Sequence, residues 1–371
     1  VRTALAGLFA LLLVGCNTLP VGFGEIGDRV PPDSALTQAP DTAAGYVRYV
    51  PLGAPDKLYF GRDTAYTSRL LLRFSIPDTL DLDSVTSVEL VLHTSDSAAL
   101  GFVCRPCSTS WNQYGVSWQM ADSFNHWYSL GGDYWPTAMG TDTTGPDSVI
   151  IGLRYVGLTD DERAAVRENG IVLFALDTGF ALVQSHSSTT DGPRLQFHYS
   201  DGDQVDYLAL ASAIIVDTVR IEAASTDLLV GSGVGARTQL KFRFDSIPAA
   251  ATITQAELTF KPRTLYRRGD TLIVGAHRLT QDFEGRGGIA QFLDAAASLR
   301  YYAPADTDSL VSFDLRTLVQ FWTTWPDSNY GLVLKADPEY AEWFRLRIPR
   351  SGPGSPVLKI QYVLPPGDRF R

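Results

Sequence analysis

The sequence predicts an all-β fold: two tandem jelly-roll-like antiparallel β-sandwich domains, each with one short helix. Three observations carry that prediction. The first is a strand that occurs twice, Arg69-Leu-Leu-Leu-Arg-Phe-Ser-Ile-Pro77 and Thr238-Gln-Leu-Lys-Phe-Arg-Phe-Asp-Ser-Ile-Pro248. A glycine, Gly61 or Gly231, stands twelve residues before the Arg of each Arg-Phe pair. The second is the strand that follows each copy, Val85-Thr-Ser-Val-Glu-Leu-Val-Leu92 and Ile253-Thr-Gln-Ala-Glu-Leu-Thr-Phe260. The third is rhythm. Short runs alternate apolar and polar residues, and turn residues separate them at intervals of about 10 to 15, the pattern of a sandwich of antiparallel strands.

The first domain is expected over residues 44–200. Tyr46-Val-Arg-Tyr-Val50 and Lys57-Leu-Tyr-Phe60 alternate as strands ahead of the repeated element. Beyond the Val85 strand lies a long stretch rich in Gly, Ser, Asn and Asp that carries Trp111, Tyr114, Trp118, Phe124, Trp127, Tyr128, Tyr134 and Trp135. Ser148 to Val156 reads as a strand. A helix is predicted from Asp160 to Glu168, because Thr159 and Glu162 have the spacing of a capping box. Asp160 and Asp161 suit the positive end of its dipole, and Asn169-Gly170 is a natural stop. Ile171 to Leu176 and Arg194 to Tyr199 close the domain.

The second domain is expected over residues 207–363, after a polar joint at Ser200-Asp-Gly-Asp203. Its elements follow in the same order. Gly331-Leu-Val-Leu334 matches Gly170-Ile-Val-Leu173 at an offset of 161, and Pro356 to Tyr362 matches Pro193 to Tyr199. Leu315 to Trp322 is the counterpart helix, with Leu315, Leu318, Val319 and Trp322 on one face.

Residues 1–16 have the form of a secretory signal: Arg2, then an apolar run from Ala4 to Val14, then small residues. The run is too short to cross a membrane, which takes about 20 apolar residues. Leu13-Val-Gly-Cys16 resembles the lipobox of bacterial lipoproteins, which implies that Cys16 is acylated. Residues 17–43 are rich in Pro, Gly, Asp, Thr and Ala and are expected to be a flexible tether, with a reach of roughly 30 Å. The expected location is the bacterial cell envelope, lipid-anchored, in the outer membrane or at the cell surface.

Charged residues make up 19% of the chain and aromatics 11%, a balance suited to an exported β-rich protein. A net charge of −10 with no basic run argues against nucleic acid or an anionic lipid face as partner. Cys104-Arg-Pro-Cys107 could be a disulfide, a redox centre or half a zinc site. Zinc lacks a second ligand pair, and a redox cysteine belongs at a helix start, whereas Leu100-Gly-Phe-Val reads as strand. A structural disulfide between Cys104 and Cys107 is therefore expected.

The repeat resembles the DNRLRE domain of bacterial surface proteins, which is related to a carbohydrate-binding-module family that includes alginate binders. The resemblance rests on the Arg-Phe-x-Ile-Pro strand, the Val-x-x-Val-Glu-Leu strand, Trp111-Asn-Gln-Tyr-Gly-Val-Ser-Trp118, and Asn169-Gly-Ile-Val-Leu with Ser187-Ser188 before Pro193-Arg-Leu. Gln113 stands where an acidic residue is common. In the second domain both tryptophans are missing and only Leu279-Thr-Gln-Asp-Phe283 echoes the pattern. The resemblance implies a jelly-roll-like sandwich at the surface, with glycan binding or a passive structural role.

Sugars stack their C–H faces on flat aromatic rings. Trp127, Tyr128, Tyr134 and Trp135 are the candidate ligand-binding residues, in the first domain only. An acidic polymer would need arginines beside them; Arg62, Arg69 and Arg73, with Arg237, Arg243, Arg345 and Arg347, are available. Ser185-His186-Ser187 and Asp191 have the letters of a hydrolase triad without its surrounding motif. Asp142, Asp147, Asp306 and Asp308 could offer oxygens to calcium, but without regular spacing. No cofactor and no metal are expected. The function expected is non-catalytic binding of a polysaccharide through the first domain. The alternatives are a structural or assembly protein of the envelope with a protein partner and no glycan, and, third, a polysaccharide lyase or hydrolase.

Overall fold

The structure is a computed structural model and describes residues 34–53, 55–95, 99–188, 190–218, 228–268, 272–282, 291–302, 310–340 and 343–365. The expected signal segment, Cys16 and the expected tether up to residue 33 lie outside it. The chain enters as β1 (Ser34–Gln38) and β2 (Thr42–Arg48). The first half continues as β3 (Lys57–Arg62), β4 (Tyr66–Phe74), β5 (Val85–Thr94), β6 (Gly101–Pro106), β7 (Gly140–Thr143) and β8 (Asp147–Leu153). Helix α1 (Asp160–Asn169) then leads to β9 (Ile171–Ala175), β10 (Gly179–Gln184), β11 (Arg194–Tyr199) and the long β12 (Gln204–Thr218). The second half runs through β13 (Leu228–Gly231), β14 (Gly235–Lys241), β15 (Thr252–Phe260), β16 (Arg263–Arg268), β17 (Leu272–Arg278), β18 (Ser298–Tyr302) and β19 (Val311–Asp314). Helix α2 (Arg316–Thr324), β20 (Leu332–Ala336), β21 (Trp343–Ile348) and β22 (Val357–Val363) complete it.

All pairings are antiparallel, and the fold is all-β with two α-helices among the described residues. Thr159 and Glu162 form the predicted capping box on α1, and Gly170 ends the helix at φ 82°. In the first half the order β12-β11-β5-β10-β3-β4 closes on itself, because the start of β12 pairs with β11 and its end pairs with β4. The second half is two sheets, β1-β22-β15-β19 and β16-β21-β13-β14-β20-β17-β18, with β2 also on β14. Leu70, Phe74, Leu90, Phe102 and Phe197 fill the first core; Phe242, Leu258, Phe313, Trp322 and Leu346 fill the second.

Two expectations about boundaries are corrected. Residues 34–43, expected to be tether, are mostly strand: β1 lies on β22 and β2 lies on β14, both in the second half. Tyr207 to Thr218, expected to open the second domain, is the end of β12 and completes the first. Ala44 to Arg48 likewise belongs with the second half, not the first. The two halves thus exchange their leading strands. β1 and β2 do for β22 and β14 what the two ends of β12 do for β11 and β4. An alternating strand fits either acceptor equally well, since the acceptors are copies of one another, so the pattern alone could not assign it.

The repeat register is also shifted. Gly170 and Gly331 pass so close to Leu72 and Leu240 that an added Cβ would lie 1.9 and 2.4 Å from their carbonyl oxygens. That makes Leu72 and Leu240 equivalent, as does their pairing with Ile171 and Leu332. Counting back, Arg69 corresponds to Arg237, and the Arg-Phe letters align two residues out of step. Both arginines sit on the outer face of their sheets, each over an aromatic ring: Trp118 at 4.6 Å and Phe292 at 5.1 Å.

Candidate functional site

The aromatic stretch between β6 and β7 is laid over the outer face of the first half. Its anchors are Trp111, Trp118 and Trp127, all buried against Leu71 of β4, Val172 of β9 and Ala211, Ala213 and Ile215 of β12. The small alanines of β12 leave room for indole rings, and their partners are satisfied. Trp111 Nε1 donates to the Asn169 carbonyl at 2.8 Å, and Trp127 Nε1 to that of Ser117 at 2.9 Å.

Arginines and one carboxylate fix the loop above these rings. Arg69 donates to the Gly131 carbonyl, and Arg73 to that of Trp111 at 3.2 Å. Burial lowers the Arg69 pKa, while Tyr134 and Asp217 act the other way. The buried Asp133 accepts from Thr109 Oγ1 at 2.9 Å and from the amides of Tyr128 and Ser129 at 2.9 and 2.7 Å. Those two amides start the turn that carries Tyr128. A second turn is set by Asp122, whose carboxylate accepts from the amides of Phe124 and Asn125 at 2.7 and 2.8 Å. Hydrogen bonds from the Asn125 side chain and from these amides hold Asp122 below the usual carboxylate range. Gly115 packs against the backbone of Asp122 and Ser123, so the segments bearing Tyr114 and Phe124 run side by side.

The result is a rigid loop with outward rings. Phe124 is 89% exposed, Tyr128 94% and Tyr114 69%. Of the four predicted ligand-binding residues, Tyr128 is fully outward and Tyr134 is partly exposed, resting edge-on against Phe174 at 4.5 Å. Trp135 is half-buried. Trp127 is a correction: its ring belongs to the core beneath the loop. Tyr114 and Phe124, not among the candidates, are the other outward rings. Their signal was legible, since Asn112 and Asp122 each stand two residues before an aromatic and cap its amide.

The arginines considered for an acidic polymer are differently engaged. Arg62, Arg69 and Arg73 donate to backbone carbonyls, and Arg237 forms a bidentate pair with Glu339 at 2.7 Å for both contacts. Ser185, His186 and Asp191 do not form a relay. His186 Nδ1 meets Ser212 Oγ at 2.8 Å, and Ser185 Oγ meets Ser187 Oγ at 2.6 Å. Asp306 and Asp308 lie outside the described residues. Among the described residues no three metal-ligating side chains converge.

The expected disulfide is also corrected. Cys104 and Cys107 are both free thiols and both buried. They stand three residues apart on an extended segment, so they point to opposite faces: Cys104 into the sandwich core and Cys107 under the tryptophans. Burial pushes the Cys104 thiol well above its ordinary value and that of Cys107 up to about 12. Neither thiol is expected to react with a thiol reagent in the folded protein. Both should react after denaturation without reductant. Reaction only once a reductant is added would show that they are bonded after all.

No family model matches the chain, and no curated protein matches it. Among solved structures it is similar to the N-terminal CBM22-1–CBM22-2 tandem of Xyn10C from Paenibacillus barcinonensis. That likeness has 10% identity, covers 88% of this chain and 92% of the other, and has a TM-score of 0.15. A structure of infectious bursal disease virus, Gx strain, is similar at 14% identity, covering 90% and 74%, with a TM-score of 0.16. At such TM-scores neither likeness bears on function.

Proposed function

We propose that this is an exported, lipid-anchored envelope protein that binds a polysaccharide, without catalysis, through the aromatic loop of its first half. One observation carries the reading: Tyr114, Phe124 and Tyr128 stand out from a loop that three buried tryptophans, Arg69 and Asp133 hold in place. Large exposed rings cost solvation, and a loop held this firmly gives up little entropy on binding. The DNRLRE-like pattern, with its surface location, and the lipobox-like Leu13 to Cys16 agree with this reading. No helix among the described residues is long and apolar enough to cross a membrane; the membrane contact proposed is the lipid on Cys16.

The test is electrophoresis of the protein through gels that hold different neutral polysaccharides. Phe124→Ala and Tyr128→Ala should each weaken retardation by about five- to tenfold, the cost of an interface anchor. Because both rings are exposed, stability should change by no more than about 0.5 kcal/mol. Trp127→Ala should instead cost about 3–5 kcal/mol of stability. Retardation that survives both Phe124→Ala and Tyr128→Ala would remove the loop from the site. No retardation by any polymer would favour the assembly role.

A further inference from the structure

The N-terminal segment and the first half attach to opposite ends of the second half. β1 begins at Ser34, opposite Tyr362, and β22 ends at Val363, opposite Thr252, where β15 starts. Helix α2 runs antiparallel to β15. The Leu315 amide donates to the Ala256 carbonyl, and further on Gln320 accepts from the Ile253 amide and donates to the Ala251 carbonyl. The C-terminus of α2 therefore points past the end where β1 begins. The turn at residues 248–250 lies there too, since Ala249 and Pro326 line one hollow with Trp322. The first half attaches elsewhere. β14 runs from Gly235, opposite Arg48, to Lys241, opposite Thr42. At its starting end Gly233 and Trp343 meet Tyr66 of the first half. Lys241, about 20 Å along the strand, borders the hollow beside Pro326.

One ring stands out at the end where β1 begins. Trp325 follows Trp322 by three residues and would join the buried face of α2 if the helix went on. Pro326 cannot continue it; Trp325 leaves at φ −128° and ψ 74° and is 62% exposed. The first half has no such projection, because α1 ends directly at Gly170, whereas Trp325 to Tyr330 intervene between α2 and Gly331. Pro248, Ala249, Ala250, Thr324 and Pro326 are exposed at the same end. Its charges balance, Lys241 and Arg243 against Asp245 and Asp327. A single exposed ring is ordinary on a protein surface. Its place beside the start of β1 is what gives this one a partner.

We propose that this end of the second half lies on the bilayer surface, with Trp325 among the lipid headgroups, so that the first half and its aromatic loop are carried away from the membrane. The proposal rests on the reading of Cys16 as the lipid anchor. Residues 17–33 join Cys16 to Ser34, and a flexible chain of that length reaches roughly 20–25 Å. That keeps the end bearing Trp325 close to the surface. Tryptophan favours the interface, where its ring is buried and its N–H stays wet. A tethered contact needs little affinity of its own, because a short linker supplies an effective concentration on the order of millimolar. With balanced charges at this end and a net charge of −10 overall, the surface it fits is one of zwitterionic lipid.

The test uses the mature chain from Cys16, acylated chemically at that cysteine with one myristoyl chain and mixed with phosphatidylcholine vesicles. Cys104 and Cys107 are buried and stay unmodified. One such chain binds only marginally, so partition reports a second contact. Trp325→Ser should lower partition about five- to tenfold. Added salt should leave it unchanged, and so should Tyr128→Ser in the aromatic loop. Brominated lipid should quench part of the tryptophan emission, and Trp325→Tyr should remove that part. Equal partition of wild type and Trp325→Ser, quenching that survives Trp325→Tyr, or a loss in Tyr128→Ser would each overturn the proposal. Partition that requires anionic lipid and falls with salt would also overturn it, by assigning the contact to Lys241 and Arg243. Because the acyl chain is attached chemically, no outcome depends on whether the cell acylates Cys16, which mass spectrometry of the native protein decides.

Discussion

A chain that begins at residue 49, without β1 and β2, is expected to lose the cooperative unfolding of its second half while the first half still melts. β2 covers β14 at seven register positions, and β1 covers β22 at five. Each backbone hydrogen bond contributes about 0.5–1.5 kcal/mol net. Two lost ladders therefore amount to something on the order of 5–10 kcal/mol, comparable with the whole stability of a domain. Burial adds to this, because Leu36 and Ala43 pack on the second core and Tyr46 packs on the cluster of Leu279 and Val333. The first half keeps β12 and so keeps its closed ring. Calorimetry of the truncated chain should show one domain's transition, and a synthetic peptide of residues 34–48 should restore the other. A truncated chain that melts like the full one would show that the strand exchange is not what holds the second half together. A chain cut at residue 44, where the tether was expected to end, removes β1 and the start of β2 and should fail for the same reason.

Much of the fold was legible because strands and caps are local. The alternation around Leu70, Val88, Leu258 and Ile360, the Thr159–Glu162 capping box and the glycines before Ile171 and Leu332 depend on neighbours in sequence. Strand partners are not local. Nothing in Ala44 to Arg48 says that they face Gly235 to Gln239 rather than their own repeat. The two-residue shift between Arg69 and Arg237 has a similar cause: a basic residue followed by Phe occurs at both alignments, Lys241-Phe242 and Arg243-Phe244, and only the close approach of Gly170 and Gly331 selects one. At the loop, composition predicted exposed aromatics but not which ones. Trp127 and Tyr128 are adjacent, yet one fills space left by Ala211 and Ala213 and the other points to water. That choice depends on β12, about 80 residues away in sequence, and on the turn that Asp133 imposes. The cysteine pair failed for a simpler reason, since a two-residue spacer suggests proximity only until the segment is known to be extended.

Replacing Trp343 with alanine is expected to separate the protein's unfolding into two transitions. Trp343 belongs to β21 of the second half, yet its ring is fully buried among residues of the first. Its centroid lies 5.4 Å from Tyr59, 5.5 Å from Tyr66 and 5.3 Å from Phe180. Gly233, at φ 79°, brings the β13–β14 turn against the same rings. Polar contacts border the cluster: Tyr266 donates to Asp63 at 2.9 Å, and the Arg268 guanidinium lies over Phe180 at 4.7 Å. Removing a fully buried indole costs about 3–5 kcal/mol. Here that loss falls on contacts between the halves, so it should lower the coupling more than the stability of either core. Two-state behaviour holds only while the halves unfold together. Wild type should therefore give one calorimetric transition and Trp343→Ala two, with the lower midpoint belonging to the half that loses more. Trp343→Phe is the control. It keeps most of the ring area and removes an Nε1 donor that is buried without an acceptor, so it should cost far less and keep a single transition. If Trp343→Ala also gives a single transition, merely shifted, the coupling resides instead in the exchanged strands, which this substitution leaves in place.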